Sequence, residues 1–320
     1  AATILISDTI TINLPGVVYL LSELDGSGGF VLSGIDANDY SGRSVSTAGD
    51  VNGDGYADLL IGAHQADPGG DSNAGETYVV FGKSGSFGAS VDLGALDGSD
   101  GFVLSGIDTN DHSGWSVSTA GDVNGDGYAD MLIGATSANS GGDAVAGETY
   151  VVFGKSESFA ASVDLGALDG SDGFVLEGID VSDRSGQSVS TAGDVNGDGY
   201  ADVLIGAYRG DAGASDSGET YVVFGKGSGF TASVDLGALD GSDGFVLEGI
   251  NANDYSGNSV STAGDVNGDG YADLLIGAYG ADPSGSISGE TYVVFGKSES
   301  FSANVDLGSL NGTTGFVLEG

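Results

Sequence analysis

Four times along this chain the same acidic, glycine-rich loop runs straight into a short apolar stretch. The first copy is Gly49-Asp50-Val51-Asn52-Gly53-Asp54-Gly55-Tyr56-Ala57-Asp58, followed by Leu59-Leu60-Ile61-Gly62-Ala63, and its relatives begin at Asp122, Asp194 and Asp265. Oxygen-bearing side chains hold relative positions 1, 3, 5 and 9 in every copy. A hard divalent cation takes six to eight oxygens at short range, and alternate side chains on a tight loop converge on one point. Glycines such as Gly53 and Gly55 allow the backbone angles of that turn. The main-chain carbonyl at position 7 would add one more oxygen. The pattern therefore predicts four Ca²⁺ loops, at residues 50–58, 122–130, 194–202 and 265–273. Their predicted ligands are Asp50, Asn52, Asp54, Tyr56 and Asp58; Asp122, Asn124, Asp126, Tyr128 and Asp130; Asp194, Asn196, Asp198, Tyr200 and Asp202; and Asp265, Asn267, Asp269, Tyr271 and Asp273.

Two other readings compete. An EF-hand opens with the same Asp-x-Asn-x-Asp-Gly but needs a bidentate Glu at position 12 and a helix after it. Position 12 here is Ile61, and Asp58 to Ala63 reads as a short buried strand. An Asx/Gly turn that binds nothing would not need Asp at position 9 in all four copies.

The loops belong to longer repeats. Gly-Phe-Val-Leu begins at Gly29, Gly101, Gly173, Gly244 and Gly315, in steps of 72, 72, 71 and 71 residues. A period of this size without helical patterning suits one four-stranded sheet per repeat, as in a propeller blade. In the first full unit, strand A is Arg43 to Gly49, rich in small residues; strand B is Asp58 to Ala63. Strand C is Glu76 to Phe81, with the β-branched and aromatic content of a sheet. A long connection from Gly82 to Asp100 precedes strand D, Phe102 to Ile107. Residues 1–28 form a separate start: an alternating amphipathic strand over residues 3–14, ended by Pro15-Gly16, then a degenerate partial repeat in which Leu24-Asp25-Gly26-Ser27 matches Leu96-Asp97-Gly98-Ser99.

Composition narrows the partners. The net charge of −40 comes from 47 acidic and 7 basic residues. The loops hold only twelve of those acids, so metal binding does not account for all of the acidity. Such a surface repels nucleic acid and anionic membranes. With no cysteine, disulfides and thiol catalysis are excluded. No stretch has the length of a membrane span. Ala1 is read as a mature or trimmed start, and the whole as secreted or surface-exposed.

Taken together, Gly42-Arg43-Ser44-Val45, Gly49 to Asp58, Leu59 to Ala63 and Tyr78 to Phe81 resemble the FG-GAP repeat, and the other three units match likewise over residues 29–320. That repeat is the blade of the integrin α-subunit β-propeller and of many bacterial secreted proteins. The resemblance implies an all-β fold, a β-propeller of FG-GAP repeats with four visible four-stranded blades, and a calcium-binding adhesion or structural role, in a protein of bacterial origin. The chain departs from the family in four ways, one of them an unusually long connection before strand D. Ser-Gly replaces Phe-Gly (Ser41-Gly42 and its equivalents), His64, Thr136, Tyr208 and Tyr279 replace the Pro after Gly-Ala, and four units stand where integrins have seven. Closure by four blades, or by five with terminal strands, stays open.

In an antiparallel A-B-C-D blade the calcium loops share one face with the C–D connections, while the D–A and B–C loops share the other. Residues that differ between units gather on that second face: Tyr40, His112, Arg184 and Tyr255 at one position, Arg43 and Trp115 at another. Loops on a rigid scaffold are where recognition usually resides, which makes these the candidate ligand residues for a protein or glycan. Arg209-Gly210-Asp211 lies in one such loop and is read as coincidence in a Gly/Asp-rich chain. Asp39, Asp111, Asp183 and Asp254 are read as turn caps, and Lys83, Lys155, Lys226 and Lys297 as charges balancing carboxylates. With two non-equivalent histidines and no nucleophile motif, the chain is read as a non-enzyme. A lectin, and a filament subunit joined through the strand at residues 3–14, are the alternative functions.

Overall fold

A computed structural model describes residues 24–320, so the amphipathic strand read over residues 3–14 lies outside the described residues. Each repeat folds as one antiparallel sheet in sequence order. The first blade comprises Ser44–Gly49, Asp58–Ala63, Glu76–Val80 and Gly101–Ser105. Ser113–Gly121, Asp130–Ala135, Glu148–Val152 and Gly173–Glu177 make the second. Ser188–Gly193, Asp202–Ala207, Glu219–Val223 and Gly244–Glu248 make the third. Ser256–Gly264, Asp273–Ala278, Glu290–Val294 and Gly315–Glu319 make the fourth. The described residues hold strands, turns and one-turn 3-10 helices, the all-β architecture that the repeats predict.

The second strand of each blade is a near-continuous apolar run because sheets cover it on both faces. Asp130–Ala135 and Asp202–Ala207 are buried throughout. Tyr78, Tyr150, Tyr221 and Tyr292 are fully buried on the third strands, and each hydroxyl donates to the Glu two residues before it. Those carboxylates satisfy phenols that would otherwise be orphaned in the core.

The connection between the third and fourth strands departs from the sequence reading. Within Gly82 to Asp100, Ser90–Asp92 is a short strand and Leu93–Ala95 a 3-10 turn whose entry is capped by Asp92. The short strand pairs in parallel with the outer strand of the preceding unit: Ser90–Asp92 with Val31–Ser33, Ser162–Asp164 with Val103 to Ser105, Ser233–Asp235 with Val175 to Glu177, and Asn304–Asp306 with Val246 to Glu248. Three-residue partners far apart in sequence leave no periodic signal. A Phe stack accompanies each pairing. Phe102 lies on Phe159 at 4.2 Å and 6°, and Phe245 on Phe301 at 4.2 Å and 3°. Such ring pairs add about 0.5–1.5 kcal/mol beyond their burial.

The repeated lysines also sit elsewhere than expected. Instead of carboxylates, the ammonium groups of Lys83, Lys155, Lys226 and Lys297 lie over Phe87, Phe159, Phe230 and Phe301 at 4.7–5.0 Å. The same rings that stack between units hold these cations by their quadrupoles.

The blades follow one another with each first strand packed on the next. Among the described residues, nothing covers the incoming face of the first blade or the outgoing face of the fourth. Val45 is 66% exposed where Val117 is 6% exposed, and Val266 is 53% exposed where Val51 is fully buried.

Candidate metal centre

Each acidic loop connects the first and second strands of its blade, and a bulge sets its entry. Register shifts between Thr47 and Gly49, where Gly49 adopts φ 80° and any Cβ would meet Ala129 of the next blade at 2.4 Å. The chain then folds back on its own carboxylates. Asp50 accepts from the N–H groups of Asp54 at 3.0 Å and Gly55 at 2.9 Å. Asn52 accepts from the Asp54 N–H at 2.9 Å, and Asp54 from the Tyr56 N–H at 2.9 Å. The same bonds recur in the other three loops. The sequence-predicted residues at positions 1, 3 and 5 are thus brought together by local turns.

Position 9 does something the sequence did not disclose. Asp58 is completely buried, and its two oxygens accept from the N–H groups of Val51 at 2.9 Å and Gly82 at 2.8 Å. Asp130, Asp202 and Asp273 repeat the arrangement. Burial pushes the Asp58 carboxyl up to about 6, and the Asp54 and Asp50 charges push in the same direction. Asp130 and Asp202 rise to about 7 for the same reasons.

Among the described residues, no three His, Asp or Glu side chains already stand in a metal-holding group. The donor set nonetheless fits a hard divalent cation. Each carboxylate oxygen that accepts one N–H keeps a second lone pair, and the charges of Asp50 and Asp54 act on the buried Asp58. A cation there would lower the raised carboxyl of position 9 and offset the mutual repulsion.

The tyrosines at position 7 have a second task. The rings of Tyr128, Tyr200 and Tyr271 lie against Gly53, Gly125 and Gly197 of the preceding loop, where a Cβ would come within 2.3–2.4 Å of the ring. Asp50 and Val51 carbonyls accept from the N–H groups of Ala129 and Lys155 at 3.1 and 2.8 Å. The acidic loops are therefore part of the blade junctions. Tyr56 lacks such a glycine among the described residues and is 43% exposed.

On the opposite face the candidate ligand residues form two groups. Tyr40, His64, His112 and Trp115 cluster, with His64 at the centre, 5.0 Å from Trp115 and 5.7 Å from both Tyr40 and His112. The Arg43 guanidinium lies 4.6 Å over the Trp115 ring. Burial, with His112 and Arg43 nearby, pushes the His64 imidazole down to about 4. His112 is lowered by burial and by Arg184, so Arg184 adjoins this group. In the second group Tyr255 stacks on Tyr279 at 5.3 Å and 11°, and Tyr208 is 5.9 Å away, carrying Arg209 on its ring. His64, Tyr208 and Tyr279 gain their places only because the B–C loops fold over the D–A turns.

Arg209-Gly210-Asp211 is built into its loop, since Asp211 accepts from the Asp216 N–H at 2.6 Å. Asp39, Asp111 and Asp254 cap their turns by accepting from the N–H three residues earlier, each at 3.2 Å.

The comparisons with known proteins agree with this architecture. The FG-GAP repeat matches four segments, residues 41–80, 113–152, 185–223 and 256–294. Each runs from the Ser-Gly turn through the acidic loop to the third strand. The chain is 28% identical to integrin alpha-5 of Xenopus laevis over 274 residues, covering 83% of this chain and 22% of that protein. It is 31% identical to integrin alpha-IIb of Homo sapiens over 234 residues, covering 72% of this chain and 20% of that protein. It is also 27% identical to phosphatidylinositol-glycan-specific phospholipase D of Dictyostelium discoideum over 297 residues, covering 88% of this chain and 29% of that protein. The chain thus spans less than a third of each of these relatives. Four matched repeats and four matching blades establish that the chain belongs to the FG-GAP repeat proteins, of the integrin-like kind.

Proposed function

We propose that this chain is a calcium-stabilised adhesion module of an extracellular or cell-surface protein, with one Ca²⁺ in each of its four acidic loops. The observation that supports the reading is the fourfold recurrence of a loop whose Asp50 and Asp54 side chains accept from its own N–H groups, next to the buried Asp58 and to carbonyls that hold the following blade. Without a cation the loop carboxylates repel one another. With one, each loop stiffens, and so does the junction it supports. The integrins among the relatives favour adhesion over catalysis. The chain covers 29% of the Dictyostelium phospholipase D, so that protein's activity is not assigned to it.

The ligand surface in this proposal is the face bearing Tyr40, Arg43, His112, Trp115, Arg184 and Tyr255. A glycan is the second reading, favoured by the exposed stack of Tyr255 on Tyr279 and by the Arg43-covered Trp115. The test is binding of immobilised extracellular-matrix proteins, and of a glycan array, in millimolar Ca²⁺ and in chelator. Calcium-dependent binding that Trp115→Ala or Tyr255→Ala abolishes is the expected result. Binding indifferent to chelator and to both substitutions would defeat the proposal.

A further inference from the structure

Basic groups are few in this chain, and they are sorted by face. The four lysines lie over phenylalanine rings of the outer connections. The arginines, Arg43, Arg184 and Arg209, and the histidines, His64 and His112, all stand on the D–A turns and B–C loops of the other face. Four of these five gather around Trp115, the only tryptophan of the chain. Arg43 lies 4.6 Å over the indole, His64 is 5.0 Å from it, and His112 is 5.7 Å from His64. Arg184 adjoins His112 and acts on its imidazole.

Within this cluster basic groups face one another. The charged groups that act on His64 are His112 and Arg43, and the one that acts on His112 is Arg184. The carboxylates beside them in sequence are engaged elsewhere. Asp111 accepts from the Asp108 N–H and feels Glu148 and Asp108, while Asp183 feels Glu219, Asp180 and Asp211. In a chain of net charge −40, such an arrangement forgoes the pairing that the surrounding acids offer. Polar atoms of the cluster are also left over. His64 is 4% exposed and its Nδ1 has no hydrogen-bond partner, and neither has the buried Nε of Arg184. Thr136, which stands in the second repeat where His64 stands in the first, is fully buried with its hydroxyl likewise unpartnered. Buried polar atoms are normally satisfied, so these mark a place that something outside the chain completes. His112 is held through Nδ1 by the Ser137 hydroxyl at 3.2 Å, which leaves Nε2 for a ligand.

Resting on the glycan reading of this face, we infer that the cluster of Arg43, His64, His112, Trp115 and Arg184 is a binding site for the acidic sugar that ends an otherwise neutral glycan. Each part of such a ligand has its counterpart. A guanidinium fork matches the two oxygens of a carboxylate. The indole offers a flat apolar surface to the C–H face of a sugar ring. The overall charge then selects among acids. A polyanion would spread many negative groups over a surface of net charge −40 and be repelled, whereas one carboxylate meets the local guanidiniums. An acidic peptide would bring the carboxylate without the apolar ring face. The second aromatic group, Tyr208, Tyr255 and Tyr279, has one arginine, Arg209, whose Nε already donates to the Tyr208 hydroxyl at 3.1 Å. That group serves as the comparison.

Trp115 makes the test direct, because the whole indole fluorescence of the chain comes from this site. The full chain, in millimolar Ca²⁺ and moderate salt, is titrated with glucuronic acid, glucose, polyglucuronate and the amide of N-acetylaspartate, which stands for an acidic peptide. Glucuronic acid should change the emission saturably. Glucose and the aspartate derivative should each bind about tenfold or more weakly, the equivalent of one matched group. Polyglucuronate should bind more weakly than the single sugar. Arg184→Gln, and Arg43→Gln at an exposed position that leaves the blades intact, should each weaken glucuronic acid by about tenfold or more, and Arg209→Gln should change nothing. Glucose or the aspartate derivative bound as tightly as glucuronic acid, a tighter polyglucuronate, or indifference to both arginine substitutions overturns the inference. So does a Trp115 that responds to none of the sugars. If a glycan array then shows neutral glycans bound and lost in Tyr255→Ala, the glycan reading stands without this site; if it shows no glycan bound, both fall.

Discussion

The N–H of Gly82 donates to Asp58 at 2.8 Å, joining the end of one blade's acidic loop to the start of its outer connection 24 residues later. The other oxygen of Asp58 accepts from Val51, so one carboxylate ties three segments together before any cation is considered.

Position 9 should therefore behave differently from position 5. Asp130→Asn places an amide N–H₂ against one of the Val123 and Gly154 N–H groups, and loss of such a buried bond costs about 1–3 kcal/mol. Asp126→Asn leaves that framework intact. In chelator, melting should drop for Asp130→Asn and hardly move for Asp126→Asn, while calorimetric titration of either should give one fewer Ca²⁺. Equal stability of the two variants in chelator would refute the distinct roles.

Calcium should raise thermal stability by binding linkage, with about 2.7 kcal/mol from each site at a hundredfold excess over its dissociation constant. A melt that is the same in chelator and in millimolar Ca²⁺, or a stoichiometry far from four, would remove the metal from the account.

Without metal, the dependence on pH has a definite sign. Burial raises Asp111 to about 6 and Asp183 to about 7, from an ordinary value of 3.8. The folded chain then binds more protons than the unfolded chain between those values, so stability falls as pH rises from about 4 to 7. In chelator the melting temperature should be higher at pH 5 than at pH 7.5. Saturating Ca²⁺ should reverse the slope, because the loops must ionise to bind it. A flat profile in chelator would contradict the burial argument.

Trp115 reports on His64, 5.0 Å away. With the imidazole pushed down to about 4, protonation and its quenching of the indole should have a midpoint near that pH and vanish in His64→Phe. A His64-dependent midpoint near 6.5 would show that the ring is solvated.

Most of the blade was legible in the residues themselves. The alternation of short strands, the loop that joins the first two and the turn caps at Asp39, Asp111 and Asp254 rest on interactions over a few residues, which spacing records. Lys155 was misjudged because its partner, the face of Phe159, lies in a connection that reads as irregular. His64 was passed over as a single residue in a variable loop; only the packing of that loop against Tyr40, His112 and Trp115 gives it a position.

The sequence by itself determined the repeat, its strands, the loop carboxylates and the family, because each depends on local spacing repeated four times. The tertiary structure alone decided that Asp58 is a buried tie, that Ser90–Asp92 crosses to the preceding unit, and that Tyr128 closes a junction. Those facts depend on surfaces meeting across some 24 to 75 residues of chain, where contact is set by how sheets stack and leaves no trace in the order of neighbouring residues.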